Sequence, residues 1–412
     1  MIIMNKKTTK TLKPVLRFKE FTDDWEQRKL GECFSERTER SNTGELISVT
    51  INDGIKKFAD LNRHDNSSED KSNYKIVKIG DIAYNSMRMW QGASGYSPYN
   101  GILSPAYTVC KPKANMNTHF FSYLFKHSEL IHTFKVNSQG LTKDTWNLKF
   151  PSFSTIKVPV PQHNEQEKIS KVFANIDNLI TLQQRKYDQL TTLKKYMLAN
   201  MFPQEGELTP KIRFSGFTNA WEQHKLGDML QFSNGFNGNA EIYGKGIPYI
   251  SVMDILNHDF ISYDTIRGKV DLDRKTAAKY TVSFGDVLFQ RSSENIEDAG
   301  RSNVYIDQRK DATFGGFVIR GKKVGVFNPY FMKYMLDTFY IRKQIMNKAQ
   351  GAQHINVGQD TLERVEINIP LIKEQNIIGR YLYNLDNLIT LQQRKCDSLK
   401  QAKKFLLQKM FI

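Results

Sequence analysis

The chain repeats itself, and this internal duplication constrains its fold more than any other feature of the 412 residues. Residues 16–32 and 212–228 are identical at ten of 17 positions, including a Trp-Glu-Gln sequence that begins at Trp25 and Trp221. Residues 175–186 and 384–395 are identical at 11 of 12 positions. Self-similarity with a period of about 200 residues indicates two copies of a domain rather than the short units of a solenoid.

Between these shared ends the two halves agree only in outline. Residues 74–84 and 280–289 predict two short strands around a Gly-Asp turn. Residues 117–136 and 328–349 predict helices, the second with Asn at the N-cap and Pro in the first turn. The same order of secondary-structure elements with different residues in each half is expected of two domains that have the same function but recognise different targets.

A long proline-free segment ends each half and predicts a helix, from about Glu165 to Phe202 and from about Glu374 to the end. The predicted apolar seams are Ile169, Val172, Ile176, Leu179, Leu190, Leu193 and Met197, and Ile378, Tyr381, Leu385, Leu388, Leu399, Ala402 and Leu406. Polar residues interrupt both seams at equivalent places, Gln183 with Lys186 and Gln392 with Lys395. Matching heptads predict that the helices pack on each other. The alternative is that each helix packs on its own domain.

An excess of basic residues favours a polyanionic partner. Lys and Arg number 59 against 43 Asp and Glu, a net charge of +16, and nucleic acid is the first candidate. No stretch of 18 uncharged apolar residues occurs, so no membrane span is expected. Cys33, Cys110 and Cys396 fit neither a disulfide framework nor a cysteine-based zinc site, and a cytoplasmic protein is expected.

No catalytic signature is complete in the sequence. It contains no GxxxxGKS/T phosphate loop, no HExxH and no CxxC. The Asn/Asp/Ser-Pro-Pro-aromatic motif of adenine methyltransferases is approached at Ser97-Pro98-Tyr99, Ser104-Pro105-Ala106-Tyr107 and Asn328-Pro329-Tyr330, each without the second proline. We therefore predict that this chain has no catalytic residue, binds no metal and binds no cofactor.

Two polar loops in each half have the composition of DNA-reading segments. Arg pairs bidentately with guanine, and Asn or Gln pairs with adenine. The candidate residues are Asn85, Ser86, Arg88, Trp90, Gln91, Ser138, Gln139 and Lys143 in the first half, and Gln290, Arg291, Ser292, Asn295, Gln350, Gln353, His354 and Asn356 in the second. The alternative is that these are ordinary solvated loops. Trp25 and Trp221 are predicted to be core residues.

The order of these motifs, all present twice, resembles the specificity subunit of Type I restriction-modification systems over essentially the whole chain. Each half has WEQ(R/H)KLG, a variable region, P-x-x-x-EQ beginning at Pro161 or Pro370, and then the NLITLQQRK-type helix. The resemblance implies an α+β fold: two tandem-repeat mixed α/β target recognition domains joined by two long helices packed as an antiparallel coiled coil. It transfers no base-contacting residues, because those positions vary between members.

The resemblance also implies partners: double-stranded DNA, two modification (methyltransferase) subunits and two restriction (ATP-dependent translocase and nuclease) subunits. S-adenosylmethionine, ATP and Mg are expected on those subunits. The predicted function is to read a bipartite asymmetric site, one half-site per domain, and to dock the subunits that methylate adenine or cleave DNA. Two alternatives remain at this stage, a stand-alone DNA adenine methyltransferase and a partner-independent, repressor-like DNA binder.

The repeats and the resemblance together predict five segments along the chain. They are a basic N-terminal tail (1–15), target recognition domain 1 (16–160), spacer helix 1 (161–205), target recognition domain 2 (206–369) and spacer helix 2 (370–412).

Overall fold

The structure is a computed structural model that describes residues 2–4, 12–65, 67–351 and 353–412. The chain divides into two compact units. The first unit comprises the residues up to Gln183 together with Lys395–Ile412, and the second unit comprises Gln184–Arg394. Most of the predicted basic tail, 1–15, lies outside the described residues; of that segment, Ile2–Met4 forms a strand that pairs with Leu16–Phe18.

A four-stranded antiparallel sheet forms the centre of the first unit, in the order Phe34–Glu36, Tyr107–Pro112, Ile82–Asn85, Ser94–Tyr96. Ile82 and Tyr84 pack in a large core and Ala83 in a smaller one, because successive strand residues point to opposite faces. The other strands are Glu26–Lys29, Ile47–Thr50, Gly54–Lys57, Lys75–Val77, Gly101–Leu103 and Lys157–Val160. The shorter α-helices are Leu30–Cys33, Thr118–Leu124, Ser128–Val136 and Phe150–Thr155.

The second unit repeats this sheet with the same strand order, Leu230–Asn234, Val318–Lys323, Val287–Gln290, Ser302–Val304. Val287 and Phe289 pack in its large core and Leu288 in its smaller one. The other strands are Glu222–Lys225, Tyr243–Ile250, Lys269–Val270, Ser292–Ser293, Thr313–Phe314, Ile355–Asn356 and Glu366–Ile369. The shorter α-helices are Leu226–Met229, Val252–Asn257, Arg274–Lys279, Pro329–Leu336, Phe339–Lys348 and Gln359–Glu363.

The Gly-Asp turn predicted in each half is present. Gly80 and Gly285 have φ of +93° and +89°, a backbone conformation that favours glycine. Two strands flank the turn in the first half, as predicted. In the second half the prediction of a strand before the turn was wrong, because there Val282 forms only an isolated bridge with Ala312. Burial raises the pKa of Asp286, whose carboxylate accepts hydrogen bonds from backbone N–H groups.

Each helix predicted after the strands is divided into two. The first half has Thr118–Leu124 and Ser128–Val136, because the intervening His127 has an extended backbone. The second half is divided at Thr338, which has an extended backbone in the same way. The predicted N-cap is confirmed at Asn328, whose side chain accepts a hydrogen bond from the Phe331 N–H at 3.0 Å.

The repeated motifs at the two ends of each half hold each other together. Arg17 donates two hydrogen bonds to the Glu165 carboxylate, both at 2.8 Å, and the two side chains are almost completely buried. Arg213 and Glu374 form the equivalent pair at 2.7 and 2.8 Å. A buried charge is stable in a protein only when it is paired in this way, so the repeated Arg and Glu have a structural role.

The Gln that follows each of these Glu residues joins two further segments. Gln166 accepts a hydrogen bond from the Asn117 N–H and donates one to the Pro161 carbonyl, both at 2.9 Å. Gln375 repeats these contacts at 2.9 and 2.8 Å. The P-x-x-x-EQ motif therefore ties the start of a long helix to the N-cap of a shorter one.

Trp25 and Trp221 are core residues, as predicted, with 1% and 2% of their surface exposed. Each packs between a Phe of a short helix in its own half and a Phe that lies just after the end of a long helix. The ring pairs are Trp25 with Phe120 and Phe411 in the first unit, and Trp221 with Phe331 and Phe202 in the second.

The two long helices run over His163–Asn200 and Ile372–Lys409, 38 residues each, close to the predicted bounds. The predicted seams were partly wrong. Phe173 and Leu382 are buried, whereas the seam residues Leu179, Leu193, Leu388 and Ala402 and the interruptions Lys186 and Lys395 are exposed. Neighbouring residues are about 100° apart around a helix, so a shift of one position selects a different stripe.

The two long helices contact each other within each unit through equivalent charged residues. In the first unit Asp177 accepts a hydrogen bond from the Tyr123 hydroxyl at 2.9 Å and pairs with Lys403 at 2.5 Å. In the second unit Asp386 contacts the Tyr334 hydroxyl at 2.7 Å and Lys194 at 2.5 Å. Within the described ranges, no helix combines the length and the apolar character that crossing a bilayer requires.

Candidate nucleic-acid interface

The first candidate loop of the first half follows the sheet strand that ends at Asn85. The Asn85 side chain accepts a hydrogen bond from the Met87 N–H at 3.0 Å and so forms a tight turn. Ser86 is buried and lies 2.8 Å from the Thr108 hydroxyl. The last part of the loop is a single 3₁₀ turn, Met89–Gln91, preceded by Arg88. The predicted residues Arg88, Trp90 and Gln91 are all partly exposed.

The second candidate loop of the first half is a small hairpin. Gln139 and Asn147 exchange two backbone hydrogen bonds, at 3.0 and 2.8 Å. Ser138 uses its hydroxyl to donate to the Phe134 carbonyl at 2.7 Å. Lys143 lies near the tip and is exposed, as is Leu141, which the sequence analysis did not include.

The structure brings these two loops of the first half together. The Leu148 N–H donates to the Ser86 carbonyl at 2.8 Å. The Trp90 and Trp146 rings meet edge to face at 5.3 Å, and Arg88 lies 3.9 Å from Asp144. Sequence reasoning missed Trp146, although a tryptophan in a polar, Gly-containing loop was a usable signal.

The first candidate loop of the second half starts at Gln290, which is buried. Its amide nitrogen donates to the Ser292 carbonyl at 2.9 Å, and its side-chain oxygen has no hydrogen-bond partner among the described residues. Arg291 is exposed. Asn295 is engaged in a turn, because its amide donates to Asp298 at 2.9 Å and accepts from the Asp298 N–H at 2.8 Å.

The second candidate loop of the second half pairs with the first. Gln350 and Asn356 exchange backbone hydrogen bonds at 3.0 and 2.7 Å, and Asn356 lies opposite Ser292 in a two-stranded antiparallel pair. Gln353 and His354 are exposed at the turn between them. In this half too, the structure places the two predicted loops side by side.

Both halves use the same backbone frame to hold these loops. The Ser86 N–H donates to the Ala106 carbonyl at 3.3 Å, and the Ser86 carbonyl accepts from Leu148. Arg291 makes the equivalent two bonds in the second half, both at 2.9 Å, with Phe317 in the position of Ala106. Equivalent backbone positions therefore carry Ser and Ala in one half but Arg and Phe in the other.

A half-buried lysine contacts the end of the first candidate loop. Lys126 donates to the carbonyl of Gly92, directly after the loop, and to that of Ile51 at 3.0 Å. Burial, and to a smaller extent the Lys403 charge, lower the pKa of Lys126 to about 8, with Asp53 opposing the shift.

Stability of the first unit should therefore rise with pH between about 8 and the ordinary lysine value of 10.5. In that window the unfolded chain holds a proton that the folded unit has released, and below pH 8 the penalty of the buried ammonium is fully present. Lys126→Met should remove this rise, on the order of 3 kcal/mol, in urea unfolding measured across the window. Lys143→Met, at an exposed site, should keep the wild-type slope; an unchanged slope in Lys126→Met would contradict the assignment.

Comparison with known proteins identifies the family. The model of the Type I restriction modification DNA specificity domain matches the chain twice, over residues 22–192 and 219–401. The MjaVIII Type I specificity subunit of Methanocaldococcus jannaschii is 22% identical over 340 residues, 80% of this chain and 77% of the relative. The putative MjaX specificity subunit of the same organism is 22% identical over 412 residues, 93% of this chain and 92% of the relative.

Solved structures share the fold at low identity. A chain solved for the complex assembly and conformational transition of the type I R-M system has a TM-score of 0.53 at 17% identity, covering 94% of this chain and 97% of that chain. The S subunit of a Type I restriction-modification system from M. genitalium has a TM-score of 0.51 at 12% identity, covering 97% and 99%.

The two family matches together span more than half of the chain. The chain therefore belongs to the family of Type I restriction-modification specificity subunits, and each half carries one DNA specificity domain.

Proposed function

We propose that this chain reads a bipartite, asymmetric site in double-stranded DNA, with one half-site for each repeat. The observation that carries the proposal is the shared backbone frame with different side chains, Ser86 and Ala106 in one half, Arg291 and Phe317 in the other. A common frame lets both halves approach the groove in the same way, while unlike side chains select unlike bases.

The sixteen candidate residues take two kinds of role in this proposal. Nine of them are proposed to contact DNA, and all nine are exposed or partly exposed: Arg88, Trp90, Gln91, Gln139 and Lys143 in the first half, and Arg291, Gln350, Gln353 and His354 in the second. The other seven, whatever their exposure, are proposed to hold the loops in shape through the hydrogen bonds described above: Asn85, Ser86, Ser138, Gln290, Ser292, Asn295 and Asn356. The net charge of +16 supports additional contacts with the phosphate backbone.

The long helices are proposed to pack as an antiparallel coiled coil. Support comes from the order of the two charged contacts, since Asp177 pairs with Lys403 whereas the later Lys194 pairs with the earlier Asp386. The packed stripe leaves a second apolar stripe exposed at equivalent positions of both helices: Leu179, Leu182 and Phe405 in the first unit, and Leu388, Leu391 and Tyr196 in the second.

We further propose that these exposed stripes dock the partner subunits, which carry the S-adenosylmethionine, ATP and Mg. Exposed apolar residues at helical spacing are typical of surfaces that bind another protein. Because the same positions are exposed in both units, the stripes fit two copies of one partner, the modification subunit. In this proposal the chain itself contributes DNA recognition and no catalytic group.

Leu182→Lys should remove one of the two modification subunits, and Leu182→Lys with Leu391→Lys should remove both, because a buried unpaired charge opposes association. The subunit count of the co-purified complex, measured by native mass spectrometry, checks this. Leu208→Lys, at a leucine outside the long helices with 46% exposure, is the matched control and should keep two copies. Two copies on the double variant would contradict the docking assignment.

A methylation map tests the reading function. In cells that express the chain with its partner subunits, Arg291→Ala should relax one base position of one half-site, at a cost of about 1–3 kcal/mol. Arg274→Ala, at an exposed arginine outside the loops, should leave the motif unchanged. A uniform loss over all sequences would instead identify Arg291 as a phosphate contact, and methyl transfer by the pure chain alone would contradict the proposed function.

A further inference from the structure

The second unit exposes one phenylalanine in the middle of a buried turn. Phe317 has 69% of its surface exposed, whereas phenylalanine is usually a buried residue. The residues on either side of it are buried: Phe314, Gly315, Gly316 and Val318.

The turn that carries Phe317 is held tightly by its surroundings. A Cβ atom at Gly315 would lie 2.1 Å from the Tyr249 hydroxyl, and one at Gly316 would lie 1.8 Å from the Asn237 side-chain oxygen, so a larger residue at either position would require these side chains to move. The Gly315 N–H also donates to the Ile250 carbonyl at 3.0 Å. The turn is therefore closely packed on both glycines, while the Phe317 ring is exposed.

The exposed ring lies beside the strongest candidate for base recognition in this half. The Arg291 N–H donates to the Phe317 carbonyl at 2.9 Å, and the Arg291 guanidinium lies 3.4 Å from the Gly316 carbonyl. In the first unit the equivalent position is Ala106, which is exposed but has no ring. At this position, therefore, only the second half has an aromatic side chain.

We propose that Phe317 is an apolar wedge that stacks against a base of the second half-site while Arg291 contacts a neighbouring base edge. This rests on the proposed function. A phenyl ring has no favourable contact with phosphate, whereas base faces accept aromatic stacking, and apolar side chains inserted at a base step unstack it. Unstacking beside the target would also lower the cost of moving an adenine out of the duplex for methylation.

The test uses the chain assembled with its modification subunits and duplexes that carry 2-aminopurine in one half-site, as defined by the methylation map. Phe317→Ala, the residue of the equivalent first-half position, should lower affinity for the cognate duplex roughly tenfold. It should also abolish the fluorescence increase from 2-aminopurine in the second half-site and leave that in the first unchanged. Phe317→Trp should keep both properties.

Phe339→Ala is the matched control, since Phe339 belongs to the same unit and is 74% exposed but lies outside the candidate loops. It should bind as the unsubstituted complex does. Wild-type affinity and fluorescence in Phe317→Ala would overturn the wedge. The wedge would also be overturned if the unsubstituted complex lost as much affinity when thymines of the second half-site are replaced by uracil as it does on Phe317→Ala. That result would mean that the ring contacts a thymine methyl group. Failure of the proposed function would give a different result. In that case the unsubstituted complex would bind a duplex with a scrambled second half-site as tightly as the cognate duplex.

Discussion

Replacement of residues 33–150 by the corresponding segment of another family member should exchange one half of the methylated motif and leave the other half unchanged. The segment begins at the end of the helix Leu30–Cys33 and finishes at the start of the helix Phe150–Thr155. These two helices contact each other, and a Cβ atom at Gly31 would lie 3.0 Å from the Ser154 Cβ. The two junctions of the exchange are therefore close in space, which limits strain from the new segment.

The exchange keeps two of the contacts that hold the ends of the first unit together. The strand pair Glu26–Lys29 with Lys157–Val160 and the buried Arg17–Glu165 pair all lie outside the replaced segment. The small core, formed by residues such as Val49, Ala83 and Val109, lies wholly inside the replaced segment, so all of its residues are exchanged together. The donor must match the part of the large core that the segment supplies, such as Phe120 and Phe121, which pack with retained residues such as Trp25.

A methylation map of cells with the exchanged chain and its partner subunits provides the measurement. The reciprocal exchange of residues 229–359 is the control and should alter the other half-site alone. If either exchange changed both halves, or neither, the assignment of one half-site to each repeat would be wrong.

Lengthening both long helices by four residues should widen the gap between the two half-sites by one or two base pairs. The insertions belong between Gln183 and Gln184 and between Arg394 and Lys395, where the chain passes from one unit to the other. Four helical residues add about 6 Å at 1.5 Å each, which is close to two base pairs at about 3.4 Å. The methylated motif should keep both half-sites and gain unread bases between them.

The place of the insertion matters for this result. An insertion after Met201 would be simpler, but Met201 and Phe202 are buried in the large core of the second unit, and Phe202 packs on Trp221. Insertion into only one helix is the control, and it should lose activity because the paired contacts of the two helices could no longer form together. An active double insertion with an unchanged gap would indicate that the partner subunits determine the distance.

The sequence by itself determined the features that depend on local residues or on self-comparison. Duplication was visible because both copies of each end motif are in one chain, and both tryptophans were assigned to the core correctly. The N-cap at Asn328 and the two long helices followed from the positions of Asn and Pro, because capping and the loss of a backbone donor act within a few residues. The family followed from the same motifs in combination.

Tertiary structure decided which apolar stripe of each long helix is buried and which side chains each loop presents. Periodicity could not choose between Val172 and Phe173, because both are apolar and one residue apart, and only the packed neighbours select one. Sequence could propose both loops of each half but could not pair Ser86 with Leu148 or Arg291 with Phe317. Those contacts join residues that are far apart in the chain, and they form only because the sheet and the helices around them fix the backbone.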